Sequence, residues 1–229
     1  MTGVDANERQ TAYPVKGAAF PGDAAGDDYA RRRAEIARRA AELFNDEGYH
    51  EASMGRLATR SGLAKPSLYH YFSSKEEILY EIHRQLNVFL VENYEKRLAA
   101  GTSAPQLLLG TMTDVMELMR SHRGHMGVFF QFHRELKGDR RDQIEAQRAK
   151  YQSLVEASIE ACIESGDLEP TNTRLASFAL FGMNSWAYQW YDPEGELTPR
   201  EIAEYLWSIF IRGLGGNAAS PDHSRTARL

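Results

Sequence analysis

Cysteine is nearly missing from this chain: Cys162 stands alone among 229 residues, so no disulfide can close within it. Its place in a helical pattern makes it a small packed residue and not a redox group. Long apolar runs are missing as well. None reaches the roughly 20 residues that a membrane-spanning helix needs, and the N-terminus has no apolar stretch of the secretory kind, so the expected compartment is the cytoplasm. No segment alternates apolar and polar residues with β-branched side chains, which excludes strands from the expectation. Nucleophile elbow, phosphate loop and metalloprotease motif are all lacking. Gly213-Leu214-Gly215-Gly216 follows a helical pattern instead of a strand, and so marks a helix stop. An enzyme is disfavoured, and no cofactor is called for.

Net charge is −5, which argues against a nucleic-acid partner until it is split along the chain. From Arg31 to Lys75 there are nine Lys and Arg against five Asp and Glu, or +4, and the remainder carries −9. A basic head on an acidic body directs a phosphate backbone to one end of the molecule.

Residues 1–27 are rich in Ala, Gly, Asp and Pro without periodicity, and are expected to form a disordered arm, with a DNA contact through Arg9 or Lys16 as the alternative. Helical spacing begins at Asp28 with Ile36, Ala40, Leu43 and Phe44, and Gly48 stops it. Ser53 is a good N-cap for a second helix ending at Gly62, and a third runs from about Lys65 to Tyr71. Ala64 is a weak cap for that third helix, partly offset by Pro66 in its first turn. Ser73-x-x-Glu76 reads as a capping box for a long fourth helix that reaches Leu98. Further helices are expected at about 104–121, 125–136, 139–165, 172–191 and 199–213, the last opened by Thr198-Pro199-Arg200-Glu201. The fold class is all-α with nine helices: a helix-turn-helix unit at 28–76, an effector-binding and dimerisation unit at 77–214, and a flexible tail at 215–229.

Two short helices meeting at Gly62 are the pattern of a helix-turn-helix. The third helix turns Leu68 and Phe72 inward, four residues apart, which leaves Lys65, Ser67, Tyr69, His70 and Tyr71 to populate the outside. Two tyrosines and a histidine are unusual on a merely solvated helix. Together with Leu-Tyr-x-x-Phe followed by Ser-Lys-Glu, this segment, over about residues 30–80, resembles the DNA-binding domain of the TetR family of bacterial repressors. The resemblance implies that Lys65, Pro66 and Ser67 meet base edges with His70 close by. It implies further that Tyr69, Tyr71 and Lys75 hold phosphates, and that Arg56, with Ser53 at the start of its helix, reaches the groove or the backbone.

The last helix carries Ile202, Tyr205, Leu206, Trp207, Ile209, Phe210 and Ile211, apolar over most of its circumference, so it needs burial on two sides. With the equally aromatic segment before it, the resemblance implies a four-helix dimer interface in which Tyr188, Ile202, Tyr205, Leu206, Ile209 and Phe210 take part. Phe129, Phe132, Phe181, Trp186 and Trp190 are interrupted by His133, Arg134 and Asn184, the composition of an apolar pocket with a few convergent polar groups. Solid packing with exposed polar tips is the alternative. His122-x-x-His125 straddles an expected loop and no third ligand completes it, so these are taken as surface histidines and no metal is expected.

The segment Phe181-Gly182-Met183-Asn184-Ser185-Trp186-Ala187-Tyr188-Gln189-Trp190-Tyr191, then Asp192-Pro193-x-Gly195 and the helix capped at Thr198, resembles over about 35 residues a subgroup of TetR-like regulators of lipid, steroid and aromatic-acid catabolism, several of which respond to acyl-coenzyme A thioesters. That implies Arg134, Arg140, Arg141 and Arg148 as cations for the coenzyme, unless they are solvated helix-face residues. The expected function is a homodimeric repressor on a palindromic operator of double-stranded DNA, released by a small hydrophobic effector, an acyl-CoA thioester or an uncharged hydrophobic compound. A ligand-independent DNA-binding protein of the same fold, with a structural or cell-division role, is the alternative.

Overall fold

A computed structural model of the chain describes residues 27–215; the expected N-terminal arm and C-terminal tail lie essentially outside them. Within the described residues are nine α-helices and no strand: α1 (Asp28–Glu47), α2 (Met54–Arg60), α3 (Lys65–Tyr71), α4 (Lys75–Ala99), α5 (Ala104–Ser121), α6 (Arg123–Gln131), α7 (Gly138–Glu164), α8 (Thr173–Trp190) and α9 (Pro199–Gly215). A short 3₁₀ turn, His133–Glu135, joins α6 to α7. No helix among the described residues is long and apolar enough to cross a membrane.

Local signals account for most boundaries. Thr198 Oγ1 accepts from Glu201 N–H at 3.2 Å while the Glu201 carboxylate accepts from Thr198 N–H at 2.8 Å, a complete capping box at the start of α9. The box at the start of α4 sits one residue later than expected. Ser74, not Ser73, caps the helix, accepting from Glu77 N–H at 3.1 Å, and Glu77 accepts from Ser73 N–H at 2.8 Å. The shift frees Glu76 to pair with Arg140 of α7 at 3.7 Å. The single helix expected at 125–136 begins at Arg123 and breaks at Phe132. That break lets Phe129 and Phe130 pack on a second core while Phe132 and Leu136 turn into the core of the head.

Two cores result. The head core holds Ile36, Phe44, Leu57, Leu68 and Phe72, and is completed by Ile78, Leu79 and Ile82 of α4, Val128 of α6 and Ile144 of α7. The second core gathers around α5, where Met112, Met116 and Leu118 are buried against α7, α8 and α9. A buried ion pair ties the middle of α5 to the last turn of α4: Arg97 grips Asp114 with two 2.6 Å bonds. Cys162 is buried in this core, and burial pushes its thiol up to about 11, as suits a packed residue.

Candidate nucleic-acid interface and effector cavity

The turn between α2 and α3 is a Schellman motif. Gly62 takes φ +64°, Leu63 N–H reaches Ala58 O at 2.9 Å and Gly62 N–H reaches Thr59 O at 3.1 Å. This sets α3 across the head with Leu68 and Phe72 fully buried and Lys65, Pro66, Ser67, Tyr69 and His70 exposed. Lys65 makes no hydrogen bond or ion pair among the described residues, so its ammonium is available to an outside acceptor. Ser53 caps α2 through Arg56 N–H at 3.3 Å, and Arg56 is exposed in a 2.5 Å pair with Glu47.

Two of the residues expected at DNA make contacts within the head. Lys75, assigned to phosphate, donates to the carbonyls of Tyr49, His50 and Ala52 at 2.9, 3.1 and 3.2 Å and lies 4.5 Å from the centre of the Tyr49 ring. All three of its protons are committed to closing the α1–α2 turn. Tyr71 is half-buried, stacked at 5.0 Å on Tyr29, whose hydroxyl donates to His70 O at 3.3 Å. Tyr29 was not singled out from the sequence, because its partners lie some forty residues away. Arg33 is structural too: it covers Phe72 at 4.0 Å, donates to Tyr71 O and pairs with Glu77 at 3.4 Å.

Behind the head, a cavity of about 290 Å³ opens between α4, α5, α6, α7 and α8. Its wall is mainly apolar (Leu86 and Leu90, Phe129 and Phe130, Phe178 and Phe181), with Arg148, Gln152 and Ser185 as its polar members. Of the residues expected to bind ligand, Phe129 and Phe181 are on this wall. Phe132 is not; it packs beside Tyr49 at 6.1 Å in the head. Asn184 is buried and donates to Met112 O at 3.3 Å, tying α8 to α5. Trp186 and Trp190 do not line the cavity and are 67% and 49% exposed. Arg134 is exposed, Arg140 holds Glu76, and Arg141 holds Glu145 at 2.6 Å. Arg148 alone of the four arginines faces the cavity, with its guanidinium 4.8 Å from the centre of the Phe129 ring and no carboxylate at ion-pair distance. Burial is the first cause that lowers its pKa.

Comparison with known proteins agrees with both halves. Residues 36–82 match the model for bacterial regulatory proteins of the tetR family, and residues 101–214 match the tetracyclin repressor-like C-terminal domain. The TetR-family regulator PfmR from Thermus thermophilus is 30% identical in an alignment covering 78% of this chain and 98% of that one, with a TM-score of 0.72. The chain belongs to the TetR family. The HTH-type transcriptional repressor KstR2 of Mycolicibacterium smegmatis is 24% identical over 188 residues, 81% of this chain and 91% of that protein. AibR, crystallised with isovaleryl coenzyme A and operator DNA, is 26% identical, covering 78% and 97%, with a TM-score of 0.70.

As a TetR-family chain it is a DNA-binding transcriptional regulator. The regulator carries a set of exposed apolar side chains on its last two helices: Leu175, Phe178, Trp186 and Trp190 on α8, Tyr205 and Ile209 on α9. Ile202 and Phe210, expected at a dimer interface, are instead buried in the subunit's own core, and Leu206 packs half-buried against it. Tyr188 is half-buried, its hydroxyl directed to Asn45 of α1. His125, expected at the surface, is buried; burial first, then His122 and Arg38, push its imidazole down to about 3. Its ring meets His122 at 5.7 Å.

Proposed function

We propose that this TetR-family regulator is a homodimeric repressor that leaves a palindromic operator when a hydrophobic effector, an acyl-CoA thioester, enters the cavity. One observation carries the reading: a single short helix serves both sites. On α6, Phe129 and Phe130 line the cavity while Val128 is part of the head core, and α6 packs directly on α1. A ligand that displaces Phe129 or Phe130 therefore acts on the seating of the head. By favouring one of two dimer geometries, it separates recognition helices that must otherwise stand about 34–36 Å apart to enter successive major grooves.

The volume, about 290 Å³, is near the lower end of the roughly 300–1,000 Å³ usual for ligand pockets, and suits an acyl or ring portion with the coenzyme outside. The isovaleryl-CoA complex of AibR and the repressor relative KstR2 support the same effector class and sign of regulation. An open apolar cavity weighs against a ligand-independent role. The exposed apolar side chains of α8 and α9 supply a surface for a second subunit; obligate dimers often bury above about 2,000 Å². The test is operator release measured with matched thioester and free-acid pairs over several chain lengths. Release by free acids or neutral hydrophobes equal to that by their thioesters would refute the coenzyme class.

A further inference from the structure

Nitrogen-bearing side chains gather around the Phe129 ring. His83 on α4 is completely buried, and neither of its ring nitrogens has a hydrogen-bond partner. Its ring lies 5.6 Å from Phe129, and one helical turn further on the same helix Leu86 lines the cavity. Arg148 stands over the same Phe129 ring, with no carboxylate at ion-pair distance among the described residues. His133 is the third nitrogen-bearing side chain of the group; its proximity and that of Arg148 add to burial in holding His83 neutral, its pKa near 3. A buried polar group normally has a partner, because leaving one unmade forfeits hydration without return. Here one such group, His83, and the half-buried guanidinium of Arg148 come from two helices and share one aromatic neighbour, Phe129 of the cavity wall.

We propose that the end of the cavity nearest the head is an oxygen-acceptor subsite, in which Arg148 and an N–H of His83 hold a carbonyl or carboxylate oxygen of the ligand. The inference rests on the reading that the cavity binds an effector. A rotamer change at Phe129 uncovers His83 to the cavity, and the ligand's oxygen then receives both donors. A site built to hydrogen-bond one oxygen discriminates strongly against an analogue lacking it, which a purely apolar wall does not. Two oxygens of an acyl thioester have this chemistry: the thioester carbonyl, or a second oxygen function farther along the acyl group.

Octanoyl-CoA and the mono-CoA thioester of octanedioic acid separate these sources. Their affinities for full-length protein are measured by calorimetry in the wild type, Arg148→Met and His83→Leu. Both variants are expected to lose about tenfold or more in affinity for the thioester whose oxygen occupies the subsite. If the loss is equal for both probes, the oxygen is the thioester carbonyl; if it is confined to the diacid probe, it is the distal carboxylate. His83→Leu should also leave the unliganded protein at least as heat-stable as wild type, since it removes a buried unpaired group; a histidine kept for packing alone would show the reverse. Wild-type affinity for both probes in both variants overturns the subsite and leaves the effector reading standing. A wild type that binds neither thioester overturns both.

Discussion

Tyr188 on α8 donates a 2.7 Å hydrogen bond to Oδ1 of Asn45 on α1, joining the effector lobe to the head across the backbone of Gly127. Gly127 permits the approach: a Cβ there would overlap Asn45 Oδ1 and stand 2.6 Å from the Tyr188 hydroxyl. Tyr188 also packs on Phe130 of the cavity wall at 5.7 Å. Tyr188→Phe keeps the ring and removes the bond, so about 1 kcal/mol of the head's seating is expected to go. A melting temperature lower by about 2–4 °C is the first readout. Operator release at an effector concentration reduced by roughly fivefold, the same free energy expressed as a ratio, is the second. A Tyr188→Phe protein that matches wild type in both removes the latch from the coupling path.

Lys65 and Lys75 should separate cleanly. Lys65→Ala is expected to weaken operator binding by about 1–3 kcal/mol and to relax preference at one base position. Lys75→Ala deprives three turn carbonyls of their donor and should lower the melting temperature, with the slope of affinity against salt unchanged. A salt slope reduced by about 0.9 in Lys75→Ala would return that lysine to the phosphate backbone.

On the α8–α9 face, Tyr205→Glu or Ile209→Glu places a charge where the side chain is 68% or 46% exposed in the subunit. Each variant should sediment as a monomer, keep its helical circular dichroism and lose operator affinity. Trp207 is a poor site for this test, because it stacks on Phe210 at 5.8 Å and a charge there would damage the subunit core. A wild type that is monomeric at micromolar concentration would remove the dimer altogether.

Acid should destabilise the fold through its buried histidines. His83 and His125 both titrate near 3 in the folded chain, chiefly through burial, against about 6.5 when unfolded. The unfolded state therefore takes up protons first, and stability that is complete above pH 6.5 falls as pH drops from there toward 3. Each histidine contributes about 1.4 kcal/mol per pH unit in the lower part of that window. Melting followed between pH 7 and 5, above most carboxylate titration, should show the decline, and His83→Leu should reduce its slope by nearly half. A flat wild-type profile would mean that these imidazoles are not held neutral.

Helix ends closed by neighbours in the chain were legible from the residues alone, as at Thr198 and Glu201, where donor and acceptor lie three apart. The start of α4 was ambiguous at that level: Ser73 precedes Glu76 by three, and Ser74 precedes Glu77 by three. What separates the two are partners from elsewhere, Arg33 on Glu77 and Arg140 on Glu76. The exposed face of α3 was legible because two inward residues four apart fix the rest. The cavity was only half legible. Phe129, Phe132 and Trp186 obey the same demand for apolar surface, yet one lines the cavity, one fills the head and one is exposed, and only packing among distant helices decides which. The carbonyl contacts of Lys75 were not legible for a related reason, since three carbonyls of a turn attract an ammonium as phosphates do.

The lysine that closes the α1–α2 turn and the arginine laid over Phe72 have a consequence for anyone wishing to retarget this regulator. The groups that hold the head together are Lys75, Arg33 and the Gly62 turn, and none is among the exposed side chains of α3. Lys65, Ser67 and Tyr69 carry no side-chain bond to the rest of the head. A library varying those three positions samples new DNA sequences on an unaltered scaffold, and the cavity behind α6 is left untouched by it.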